Sequence, residues 1–81
     1  APDNVRVNAV APGAIDTPML NGSMSRAEDP AAARDYSRNR HAMKRFGQVD
    51  EIANGVVYLL SDEASFSTGS VITIDGGWTA A

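Results

Sequence analysis

The chain has 81 residues, of which 43% are hydrophobic, 21% charged and 6% aromatic; seven Lys and Arg against ten Asp and Glu give a net charge of -3. Without a cysteine there is no disulfide, thiolate metal site or cysteine nucleophile, and the single histidine, His41, leaves no His-rich zinc site. The acidic balance excludes a phosphate-backbone surface, so no nucleic-acid partner is expected.

Val5 to Val10 alternates branched apolar with polar residues before Ala11-Pro12-Gly13. This predicts a strand over 5–11 that runs into a tight loop. From Asp16 to Arg40 the composition turns to Ser, Asn, Asp, Ala, Arg and Met, with Pro18 and Pro30. The stretch reads as a mobile cover, with a short polar helix over 31–40 that Pro30 would start. Over 48–61 a stronger helix is expected: Asp50 and Glu51 suit its first turn, and Ile52, Val56, Leu59 and Leu60 share one face. Gly55 inside it costs about 1 kcal/mol relative to Ala, which a close neighbouring backbone would explain. Ser70 to Asp75 is a second strand, almost continuously β-branched, and Asp75-Gly76-Gly77 a turn.

A helix between two strands predicts a parallel pair, and the second strand suits a sheet covered on both faces. Two strands and one good helix cannot supply that cover. The pattern is that of the last quarter or third of an α/β domain. Its longest apolar run, Val56 to Leu60, falls far short of the roughly 18 residues a membrane span needs, so no membrane is expected. Ala1-Pro2-Asp3-Asn4 has no signal-peptide features, which reads as cytoplasmic, and the missing initiator Met reads as a processed or excised piece.

Four motifs carry a resemblance. They are Arg6 to Met19 (RVNAVAPGAIDTPM), Arg45 to Ala53 (RFGQVDEIA), Leu59 to Ser65 (LLSDEAS) and Gly69 to Gly77 (GSVITIDGG). In this order they resemble the C-terminal portion of the short-chain dehydrogenase/reductase family. The resemblance implies one segment, residues 1–81, of a Rossmann-type doubly wound parallel sheet: strand 5–11, cofactor loop and substrate lid 12–47, helix 48–61 and last strand 70–75. It implies hydride transfer between NAD or NADP and an alcohol or ketone. In the family a glycine-rich phosphate loop and a Ser, Tyr and Lys set lie upstream of the first motif, so no catalytic residue is expected here. Tyr36-Ser37-Arg38-Asn39-Arg40 only imitates the Tyr-x-x-x-Lys pair, since Arg does not replace a compact Lys charge.

By the same resemblance Pro12, Gly13, Ala14, Ile15 and Thr17 bind cofactor. The Ile15 backbone would meet the nicotinamide carboxamide, and the Thr17 hydroxyl that group or the diphosphate. The plainer reading of Pro12-Gly13 is a strand-ending turn. Met19, Leu20 and Tyr36 are the substrate-contact residues, each alone more often simple packing, with Met24 and Met43 as further apolar lid residues. Asn8 reads as a structural amide, and His41 as a lid-surface or supporting residue. Gly55 and the second strand are expected to serve assembly into a homo-oligomer, as in the family's tetramers. The rival reading is a catalytically inactive piece that oligomerises or complements a separate chain.

Overall fold

The computed structural model describes residues 1–80. Its order is β1 (Ala9–Pro12), α1 (Pro18–Ser25), α2 (Pro30–Asn39), α3 (Val49–Leu60), a 3-10 turn (Asp62–Ala64) and β2 (Val71–Ile74). The two strands pair in parallel, with Ala9 opposite Val71 and Pro12 opposite Ile74. β1 is shorter than the alternation over 5–11 predicts. Asn8 takes over at its entrance: its Nδ2 donates to the Ser67 carbonyl (2.9 Å), and its Oδ1 accepts from the Ser70 N–H (3.0 Å). This is the structural role expected of it, and it fixes the register before the ladder begins.

The stretch read as a mobile cover holds two capped helices. Thr17 caps α1 through its Oγ1, which accepts from the Leu20 N–H (3.1 Å), and Pro18 occupies the first turn. Asp29 caps α2 in the same way, with Pro30 following. Asn21 joins them: it donates to Asp16 Oδ1 (3.1 Å) and accepts from Arg34 (2.6 Å). The polar composition therefore makes caps and cross-links.

α3 opens at Gln48, whose N–H donates to the Glu51 carboxylate (2.9 Å). That carboxylate also takes two bonds from the Arg45 guanidinium, each 2.8 Å, which hold its pKa down at about 2. α3 lies on the two-stranded sheet. A Cβ placed on Gly55 would stand 2.3 Å from Ile74 Cδ1, so the close neighbour that this glycine admits is a β2 side chain of the same chain.

Only Phe46, Leu59 and Ala64 are fully buried apolar residues among those described. Val56 and Leu60, from the face predicted to be apolar, remain exposed, as do Val57, Phe66 and Val71. The radius of gyration is 15.6 Å, against about 12 Å for a compact domain of this length. Two strands leave half of an α/β core uncovered, as the residue pattern requires. No helix is long and apolar enough to cross a membrane.

Candidate cofactor-loop site

The loop that leaves β1 is held by its backbone from three directions. The Gly13 N–H donates to the Ile74 carbonyl (3.2 Å), so the loop stays against the end of β2. The Ala14 N–H donates to His41 Nε2 (3.1 Å). Further on, the Gly47 N–H donates to the Ala14 carbonyl (3.0 Å), and the Asp16 N–H donates to the Gly47 carbonyl (2.8 Å), a parallel bridge centred on Ile15.

That bridge determines what Ile15 presents. A trans peptide points its C=O and the next N–H in opposite directions. With the Ala14 C=O and the Asp16 N–H both turned to Gly47, the Ile15 N–H and C=O face the other way. Neither has a partner among the described residues. One residue thus offers a donor and an acceptor a peptide's width apart, the complement of a primary carboxamide. The Thr17 hydroxyl, two residues on, spends its acceptor on the α1 cap and keeps its proton to donate.

Two glycines make this geometry possible. A Cβ on Gly13 would lie 2.9 Å from His41 Nε2 and 3.0 Å from the Asp75 backbone. One on Gly47 would lie 2.7 Å from Ile15 Cδ1. Sequence reading marked Gly13 but passed over Gly47, because its partner lies 32 positions earlier.

Of the two readings of His41, lid surface or supporting residue, the structure overturns the first. It is no lid-surface residue but the most buried large side chain described, 1% exposed. Its Nδ1 faces the Ser37 carbonyl at 3.0 Å and the Arg38 carbonyl at 3.3 Å, while Nε2 accepts from Ala14. These partners assign the neutral tautomer with the proton on Nδ1. Trp78 packs edge-on against the ring at 4.7 Å between centroids, and Phe46 at 6.2 Å.

The three expected substrate residues part company. Leu20 is half-buried and, with Pro12, Gly13, Ala14 and Trp78, lines a groove of about 500 Å3 beside the loop. Met19 is 84% exposed on α1 and Tyr36 68% exposed on α2, the latter under the Arg40 guanidinium. A second cavity, of about 380 Å3, lies between the loop and α3, lined by Ile15, Gly47, Arg45, Glu51 and Ile74. Among the described residues no cluster of His, Asp and Glu could hold a metal ion.

A family model described as enoyl-(acyl carrier protein) reductase matches residues 1–79. Levodione reductase from Leifsonia aquatica is 46% identical over 79 residues, 95% of this chain and 30% of that protein. The solved structure of a short chain dehydrogenase family protein from Francisella tularensis superposes with a TM-score of 0.89 at 35% identity, over 96% of this chain and 34% of that one. The chain belongs to the short-chain dehydrogenase/reductase family. Its α/β arrangement with a parallel strand pair is part of the Rossmann-type sheet of that family. A further family structure, described as a 2-deoxy-D-gluconate 3-dehydrogenase from Agrobacterium tumefaciens with bound NADP, matches with a TM-score of 0.83 and 33% identity, over 94% of this chain and 29% of that one. The chain spans about 30% of the length of the short-chain dehydrogenase/reductase proteins that it matches.

Proposed function

We propose that this chain is the nicotinamide-side segment of an NAD(P)-dependent oxidoreductase that interconverts an alcohol and a ketone. The observation that carries the reading is the outward-facing, unpartnered N–H and C=O of Ile15, held by two hydrogen bonds to Gly47. They fit the carboxamide of a nicotinamide, which needs one donor and one acceptor at fixed spacing. The bound NADP of the Agrobacterium relative supports a cofactor of this class.

When bound, the cofactor supplies or accepts a hydride. The residues of this chain bind and orient. Ile15 N–H and C=O clamp the carboxamide, and the clamp sets which face of the ring is presented. The Thr17 hydroxyl donates to the carboxamide or the diphosphate. Leu20 faces the groove beside the loop, and α1 and α2, locked together through Asn21, cover that side and exclude water from it. Met19 and Tyr36 reach substrate only if α1 or α2 closes further or the substrate extends across them. The general acid/base, by family resemblance a Tyr oriented with Ser and Lys, lies outside this chain.

The test uses the full-length protein. NADH or NADPH binding, followed by fluorescence quenching, and turnover with a panel of ketones are expected. Replacing Thr17 by Ala should weaken cofactor binding about tenfold, as loss of one hydrogen bond of ordinary strength would. Failure to bind either nucleotide would overturn the reading.

A second reading rests on a different observation: Val57, Leu60, Phe66 and Val71 are exposed apolar side chains around a core of three residues. On its own the 81-residue chain is then an inactive piece that covers this surface with copies of itself or with a complementary chain. Native mass spectrometry decides, since a monomeric 81-residue species with a cooperative melt would refute it.

A further inference from the structure

His41 is buried more deeply than any other large side chain described, and none of the binding contacts above uses it. Its ring joins three segments that are distant in sequence. Nε2 accepts from the Ala14 N–H in the cofactor loop, 27 residues back. Nδ1 faces the Ser37 and Arg38 carbonyls in the last turn of α2, which also accept from the backbone N–H groups of Arg40 (3.3 Å to Ser37) and His41 (3.2 Å to Arg38). Trp78, after β2, closes over the ring edge-on. Gly13 has no side chain where a Cβ would come within 2.9 Å of Nε2.

Ala14 therefore has both backbone groups fixed: its N–H by His41 and its C=O by Gly47. The second bond turns the Ile15 N–H outward. The first fixes the rotation of the residue that carries it.

We infer that His41 is a positioning residue: through Nε2 it orients the loop that presents Ile15 to the nicotinamide, and through Nδ1 it ties that loop to the lid helix α2. The inference rests on the functional reading of Ile15 and adds a residue that reading does not contain. It follows that lid and cofactor hook move as one unit, and that the acceptor at Nε2 matters more than the bulk of the ring.

Two substitutions in the full-length protein separate acceptor from bulk. In His41→Gln the side-chain oxygen reaches the Nε2 position and still accepts from Ala14. In His41→Asn the shorter amide reaches Ser37 and leaves Ala14 without a partner. Both lose the packing on Trp78 and Phe46, so both should lower the melting temperature. Only His41→Asn should raise the KM for NAD(P)H about tenfold, with the KM for the ketone moving less. Hydrogen exchange on the cofactor-free protein gives a second readout: protection of the Ala14 amide should fall about tenfold in His41→Asn and persist in His41→Gln. Equal behaviour of the two variants in both readouts would overturn the proposal, as would loss of loop protection in His41→Asn without a change in cofactor KM. A wild-type protein that binds no nicotinamide nucleotide would instead overturn the functional reading beneath it. The exchange arm, which needs no cofactor, tells the two failures apart.

Discussion

Replacing Gly47 by Ala tests whether the bridge beneath Ile15 is as tight as its geometry states. The new Cβ would stand 2.7 Å from Ile15 Cδ1, whereas carbon atoms settle at about 3.5–4.0 Å, so roughly 1 Å must be found. Turning Cδ1 off its rotamer costs about 0.5–1.5 kcal/mol. Moving the loop instead displaces the Ile15 N–H and C=O, and a misplacement of about 1 Å costs up to roughly 100-fold in a reaction that depends on orientation. Gly47→Ala should therefore lower stability by about 1–2 kcal/mol, within the usual range for overpacking, and raise the KM for NAD(P)H. Ile15→Val removes the very atom that clashes, at a cost of about 0.5–1.5 kcal/mol alone. In the double variant the two costs should fail to add by about 1 kcal/mol, because the pair that collides no longer exists. Urea melts of the full-length protein and its two single variants complete the cycle, with cofactor KM measured beside them. Additive losses would refute the contact as drawn here.

Asn8→Ala should cost about 2 kcal/mol, two hydrogen bonds of ordinary strength, and Asn8→Asp should not restore it, because a carboxylate cannot donate to the Ser67 carbonyl; chemical denaturation reads both. Gly55→Ala gains about 1 kcal/mol of helix propensity, yet a Cβ 2.3 Å from Ile74 Cδ1 should make it net destabilising in a thermal melt. Adding Ile74→Val should recover the loss. The pKa of Glu51 is lowered from 4.5 to about 2, first by the hydrogen bonds from Arg45. A group whose folded pKa is depressed contributes stability that is complete above its unfolded value and is lost as the pH falls through the folded one. The acid limb of a stability profile between about pH 4.5 and 2 should therefore flatten in Glu51→Gln; an unchanged limb would refute the pair's role.

The strands, α2 and α3 were legible because each is written locally: alternation before Pro12-Gly13, Asp29-Pro30 at a helix start, and Ile52 and Leu59 on one face. α1 carried the same kind of signal in Thr17-Pro18, but Gly22 and its serines obscured it. Asn8 could be read as structural because a polar amide entering an apolar strand needs partners. For His41 the sequence leaves lid surface and supporting role both open. It sits among charged residues, Arg38 to Arg45, and its burial comes from Ala14 and Trp78, which no local periodicity connects to it. Gly47 was missed for the same reason. The expectation at Ile15 comes from family resemblance; what leaves its N–H and C=O unpartnered among the described residues, a bridge to a residue 32 positions away, is tertiary information.

The parallel ladder has a consequence for how the protein comes to fold. Asn8 and Ser70, which clasp its entrance, are 62 positions apart. No hairpin zips such a pair together: closing a loop of about 60 residues costs roughly 3.6 kcal/mol beyond the constant for short loops, before the first inter-strand bond forms. α2 and α3 need no such closure, since their caps at Asp29 and Gln48 are local. They can exist as fluctuating structure while β1 and β2 are still apart, and the ladder is slow to nucleate. The bridge from Ile15 to Gly47 spans 32 positions and the bond from Ala14 to His41 spans 27, so each needs a shorter closure than the ladder does. The loop after β1 can therefore take shape against α2 while β1 and β2 are still apart.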